Sequence, residues 1–189
     1  MSNVIKKHKY SIFDLSIRLT ERRGSKIKKI KVNLLGDHNI ANATASIAIA
    51  LNIGIKINKI KKALRKFSGI QRRFTKIFSI GKKDFYDDYA HHPTEIKAVL
   101  KSARQVYKDR KIICVFQPHR YSRIKSLKSE FASSFKLADE LILCPVYSAG
   151  EKLKFNYNQN KFSKLISKHS KIQVININDK IDLKNYIKK

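Results

Sequence analysis

The sequence predicts an α/β protein whose second half forms an open, largely parallel sheet, preceded by an antiparallel hairpin and two helices. Three observations predict it. Short apolar runs at 111–117 "KIICVFQ", 140–146 "ELILCPV" and 171–177 "KIQVINI" alternate with segments of helical period. Residues 10–20 and 26–35 instead alternate apolar and polar side chains on either side of the turn-forming "ERRGS". Apolar residues make up 42% of the 189, enough for a sizeable core.

The elements follow in order. After the first hairpin, "GDHNIANATASIAIALNIGI" is apolar on most faces and predicts a helix buried among other elements, with Gly54 closing it. Residues 57–67 place Ile57, Ile60, Leu64 and Phe67 at helical spacing. "SGIQRR" at 68–73 is the expected domain boundary. "FTKIFSI" and "KDFYDDYA" flank "GKK" as a second hairpin. Pro93 suits the first turn of a helix continuing through "TEIKAVLKSARQVY". Residues 122–138 predict one helix, 160–169 another, and "DLKNYIKK" a closing one.

The formal net charge of +28 favours anionic partners. Its lysines are spread along the chain with many Ile and Asn residues, the pattern that AT-rich coding imposes on neutral surface positions. A basic nucleic-acid-binding α/β module is therefore the alternative reading, but it rests on charge alone. No RNA- or DNA-binding signature accompanies the charge, so nucleic acid is not an expected partner. Cys114 and Cys144 lie in apolar runs and lack a zinc-ligand spacing, which makes them small buried hydrophobes. No apolar run is long enough for a bilayer, and the N-terminus has no signal-peptide apolar stretch. The expected location is cytoplasmic.

Polar chemistry concentrates at strand-to-helix junctions. Residues 87–95, "DDYAHHPTE", gather Asp87, Asp88, Tyr89, His91 and His92 where ligands of open α/β sheets bind. A helix cap would account for Asp88 or His92, but not for all five. The next junction, "QPHRYSR", brings His119, Arg120 and Arg123, whose guanidiniums suit carboxylate or phosphate. "VYSAGE" adds Gly150 for a tight turn and Glu151 for a cation or amine. Upstream, Asn39 and Asn42 share a helix face beside His38. The sequence contains no G-x-x-x-x-G-K-[ST] phosphate loop and no G-x-S-x-G elbow.

"GDHNIANATASIAIA", "GIQRRF", "DDYAHHPTEI", "FQPHRYSR" and "VYSAGE", in that order, resemble the Mur ligase family, and within it the UDP-N-acetylmuramate–L-alanine ligases. The resemblance implies that residues 1–70 are the tail of the central ATP-binding domain and 71–189 a Rossmann-like C-terminal domain. It implies ATP and Mg2+ as cofactors, with the phosphate loop, magnesium ligands and UDP-sugar domain supplied from outside this sequence. The chain alone is then expected to be inactive, and no metal ligand is expected within it. UDP-N-acetylmuramate, L-alanine and ATP are the implied partners. By motif match, Asn39 and Asn42 fall on adenine-side positions, and Arg73 and Asp88 on polar positions that help bind nucleotide. Tyr89, His91, His119, Arg120 and Arg123 match the wall that holds L-alanine and the reacting carboxylate. His91, Asp88 and Arg73 are the expected catalytic group. Ala90 stands where many members have Gly, and Asp37 where a basic residue is usual.

Overall fold

The computed structural model describes residues 1–7, 10–18, 24–34, 36–70, 72–152 and 156–188. These divide into two compact units, Met1–Asp88 and Tyr89–Lys189. Most of the predicted "ERRGS" turn, Leu35 and Gln71 lie outside the described residues.

In the first unit, β1 (Ser2–Lys6), β2 (Ser11–Ile17) and β3 (Ser25–Val32) form an antiparallel sheet in that order. The predicted hairpin is β2–β3, and β1 was not foreseen: its five residues are all exposed and give no alternating signal. Phe13, Leu15, Ile27 and Ile30 pack against Ile40 and Ile47 of α1 (Asp37–Asn52) and Ile60 of α2 (Ile57–Lys66). Only one face of α1 is buried, and Ile49 stays 64% exposed, so the expected all-round burial does not hold. The sheet and α2 cover one side of this helix, and Ile49 on another side remains on the surface. Gly54, at φ 85°, ends α1: its N–H bonds to the Leu51 carbonyl and that of Ile55 to the Ala50 carbonyl, a Schellman closure.

Asp14 is a buried carboxylate in β2 that fixes both of its neighbours. One oxygen accepts from the Lys29 N–H and the other from the Asn3 amide, both at 2.8 Å. Asn3 and Lys29 have φ of 51° and 54°, and each lies where its strand's register against β2 shifts. The Lys29 N–H, and after it Asn3, hold the Asp14 carboxyl below its usual range against the opposing effect of burial. A depressed folded-state pKa gives stability that is complete above the unfolded value, near pH 4, and is lost as pH falls through the folded value. The thermal midpoint of the first unit should therefore drop in acid, and Asp14→Asn should flatten that dependence. A variant with an unchanged acid slope would contradict this.

β4 (Thr75–Ile80) and β5 (Lys83–Asp87) form the second predicted hairpin, a separate two-stranded sheet turning at Gly81 and Lys82. Phe78 stacks on Phe85 across it at 4.4 Å.

The second unit opens with α3 (Pro93–Val106). His92 is its N-cap: its ring accepts from the Thr94 N–H, and Glu95 reaches back to the His92 N–H, completing a capping box. His92 therefore takes the capping role rather than a place in the functional cluster.

β6 (Ile113–Phe116), β7 (Glu140–Leu143) and β8 (Gln173–Asn176) form the predicted parallel sheet, in that order. β7 is central and buried throughout. Leu141 and Leu143 meet Phe116, Phe131 and Phe162, while Ile142 faces Ile177 and Leu183. Burial on both faces explains its unbroken apolar run. Burial pushes the Cys114 thiol up to about 12 and also raises Cys144, so both behave as hydrophobes.

Where one helix was expected over 122–138 there are two, α4 (Tyr121–Ser126) and α5 (Lys128–Ala132). Leu127, at φ −121° and ψ 30°, leaves the helical path. Serine hydroxyls take up backbone groups where α5 ends: Ser170 donates to the Ala132 carbonyl at 2.6 Å and accepts from the Phe135 N–H. Ser170 ends α6 (Gln159–Ser170), and α7 (Lys180–Lys188) closes the chain. Buried Glu140 accepts from the Tyr186 hydroxyl of α7 and pairs with Lys111 at 2.6 Å. Among the described residues no helix is long and apolar enough to cross a membrane.

Arg104 ties the loops beneath the sheet. Its guanidinium donates to the carbonyls of Arg110 (2.9 Å) and Leu137 (3.1 Å) and to Asp139 (2.7 Å). Burial alone would raise the Asp139 carboxyl, but the Ile112 N–H and Arg104 together hold it below the usual range. Arg104→Ala should destabilise the second unit by about 2 kcal/mol, the scale of charge-assisted hydrogen bonds left unmade. Urea unfolding checks this; a midpoint within error of wild type would remove Arg104 from the frame.

Candidate active site

Parallel strands send their following loops to one edge. Past β6 and β7 the pairing continues as a bridge between His119 and Tyr147. The Arg120 N–H donates to the Tyr147 carbonyl and the Tyr147 N–H to the Pro118 carbonyl, each at 2.8 Å. This fixes His119 and forces Arg120 to φ 71°, an unusual conformation for a non-glycine residue. Four rings then line the edge. Tyr89 meets His91 edge-on at 5.1 Å, His91 lies 5.7 Å from His119, and His119 lies 5.4 Å from Tyr147.

Arg123, in the first turn of α4, bonds back to His119: its Nη1 reaches the ring Nδ1 at 3.1 Å and the carbonyl at 3.0 Å. Desolvation, and after it the Arg123 charge, hold the His119 imidazole below its ordinary pKa. Glu151 accepts from the Ser122 hydroxyl (2.6 Å) and N–H (3.1 Å) and lies 3.7 Å from Arg120. The Ser122 hydroxyl is the main cause that keeps the Glu151 carboxyl low and ionised. Arg120 thus carries a guanidinium on an exposed loop with a carboxylate beside it. Glu95 accepts from the His91 N–H at 3.0 Å, which anchors the loop that presents His91.

The remaining predicted residues belong to the first unit. Asp88 accepts from the Phe74 N–H at 2.7 Å and so holds the turn bearing Arg73, in which Arg72 and Phe74 have φ of 60° and 48°. Arg72 pairs with Asp87 at 3.4 Å. His38 is lowered first by burial and then by Arg73, against the pull of Asp88 and Asp37, so these groups lie within electrostatic reach of one another. Asn39 and Asn42 are in the first turns of α1, the former half-buried and the latter exposed. Asp37 pairs with Lys6 at 2.5 Å. The expected residues therefore fall into two groups: His38, Asn39, Asn42, Arg73 and Asp88 in one unit, and Tyr89, His91, His119, Arg120 and Arg123 in the other.

Sequence reasoning missed Tyr147 and Ser122. Tyr147 lies in the "VYSAGE" run, but only the strand register shows that it faces His119. Ser122 is the first-turn hydroxyl of α4, four residues before Ser126, and nothing in its spacing ties it to Glu151.

A parallel sheet that delivers His119, Arg120, Arg123 and Glu151 to its carboxyl edge, with His91 brought beside them by the loop entering α3, defines a Rossmann-like domain suited to anionic ligands. Residues 72–185 match the family model for the Mur ligase, glutamate ligase domain. The chain belongs to the Mur ligase family. It is 52% identical over 188 residues to a UDP-N-acetylmuramate–L-alanine ligase of Pelagibacter ubique, covering 100% of this chain and 40% of that protein. A ligase of the same name from Brucella anthropi is 45% identical over 141 residues, 75% of this chain and 30% of the relative. The crystal structure of the UDP-N-acetylmuramate–alanine ligase MurC from Thermotoga maritima superimposes with a TM-score of 0.68 at 26% identity, over 94% of this chain and 36% of that one. The chain thus spans about two-fifths or less of the length of these relatives.

Proposed function

We propose that the chain is the C-terminal part of an ATP-dependent ligase that joins L-alanine to UDP-N-acetylmuramate in peptidoglycan synthesis, working in the cytoplasm. The observation that carries this reading is the His91–His119–Arg123 row at the sheet edge with Arg120 and Glu151 beside it. The whole-chain identity to the Pelagibacter ligase supports it. The reaction it implies phosphorylates the muramoyl carboxylate to an acyl phosphate, which the alanine amine attacks with loss of phosphate. Negative charge builds at each stage, and preorganised donors stabilise it. Arg120 and Arg123 take the alanine carboxylate, His91 and His119 face the reacting carbonyl, and Tyr89 walls the pocket. In the first unit, Arg73 and Asp88 contribute to nucleotide binding, and Asn39 and Asn42 to the adenine side. Residues 1–70 act as the tail of the ATP-binding domain and 71–189 as the C-terminal domain.

Among the described residues no three His, Cys, Asp or Glu side chains are placed to hold a metal ion. Since the sequence has no phosphate loop, the ATP triphosphate is held by residues outside these 189.

The test is phosphate release from the chain mixed with a separately expressed polypeptide carrying the UDP-sugar and phosphate-loop domains of the Pelagibacter relative. Release should require ATP, UDP-N-acetylmuramate and L-alanine together and should be absent from either piece alone. Alanine-independent release, or none in the mixture, would defeat the proposal.

A further inference from the structure

The two imidazoles at the sheet edge have their ring nitrogens committed in opposite ways. His91 Nδ1 lies 3.0 Å from the Tyr89 carbonyl oxygen and 3.7 Å from Glu95 Oε2. A carbonyl and a carboxylate accept, so Nδ1 carries the hydrogen, and the tautomer this selects has its lone pair on Nε2. His119 Nδ1 faces Arg123 Nη1 at 3.1 Å, and the same Nη1 is anchored on the His119 carbonyl at 3.0 Å. A guanidinium only donates, so His119 Nδ1 accepts and its hydrogen sits on Nε2.

We propose that His91 and His119 are locked in opposite tautomers, the first by the Tyr89 carbonyl and the second by Arg123, so that adjacent imidazoles on one edge present an Nε2 acceptor and an Nε2–H donor. Arg123 is the positioning residue that sets the second. The rings are 5.7 Å apart and tilted by 47°, close enough to serve one reacting centre. Protonating His119 would bring N–H against N–H at Arg123, which keeps this ring a neutral donor.

Resting on the ligase reading above, the pair divides amide formation into two tasks. As the amine nitrogen bonds to the acyl carbon, its surplus proton passes to His91 Nε2. The carbonyl π pair moves onto oxygen, which accepts a hydrogen bond from His119 Nε2–H. The oxyanion then re-forms the carbonyl, the bond from carbon to the phosphate oxygen breaks, and phosphate leaves with that pair. His119 keeps its proton throughout, and His91 returns its proton to solvent.

Side-chain 15N–1H correlation spectra of the 189-residue chain test the tautomers without substrate, with the six histidines assigned through His91→Gln and His119→Gln. Near neutral pH, His91 should show the Nδ1–H pattern and His119 the Nε2–H pattern. Arg123→Ala should release His119 into a mixture of tautomers while leaving His91 unchanged. The same tautomer on both rings in the unmodified chain, or a His119 signal indifferent to Arg123→Ala, would overturn the assignment. Because the readout needs no turnover, opposite tautomers without ligase activity would uphold the imidazole pair and discard only the reaction assigned to it.

Discussion

Arg123→Ala, made in a complete ligase carrying these residues, is expected to lower kcat/KM for alanine by roughly 30- to 1000-fold, about 2–4 kcal/mol of transition-state stabilisation. Two losses add up to that figure. One is a charged fork of donors for the alanine carboxylate. The other is the grip on His119, whose ring and carbonyl both accept from this guanidinium. Arg123→Lys keeps the charge but offers no planar fork of donors to a carboxylate, so it should recover only part of the loss. Measuring kcat and KM for alanine separately distinguishes the two: a carboxylate contact moves KM, and a misplaced imidazole moves kcat. An Arg123→Ala enzyme with wild-type kcat/KM would remove both roles.

His91→Ala should act on the chemistry instead. A general base within reach of the reacting nitrogen contributes on the order of 10²–10⁴-fold. The expected result is a fall in kcat of that order with nucleotide affinity nearly unchanged, because the role proposed for His91 is proton transfer at the reacting nitrogen. Single-turnover kinetics with preformed acyl phosphate would isolate the step, and unchanged turnover would exclude His91 from it.

Much of this was legible in the sequence, for identifiable reasons. The parallel strands were readable because each is a short apolar run bounded by helical segments, and β7 in particular is buried on both faces. The ring row was foreshadowed by polar residues crowding successive strand ends. The break at Leu127 was not legible, since the apolar spacing of Ile124, Leu127 and Phe131 runs on as one helix. The role of Asp14 was equally hidden. A lone acid among alternating residues looks like a solvated position until two bulged neighbours are seen donating to it. A histidine beside another reads as chemistry, whereas Pro93 and Glu95 after His92 are the grammar of a helix start.

The backbone of Arg120 bears on how this protein should be engineered. At φ 71° glycine would fit without the Cβ penalty, and Arg120→Gly should raise thermal stability by about 1 kcal/mol. A selection scored on melting temperature alone would keep that change and discard the guanidinium beside Glu151. Heat-resistant variants from such a screen should therefore be re-assayed for alanine use before position 120 is accepted.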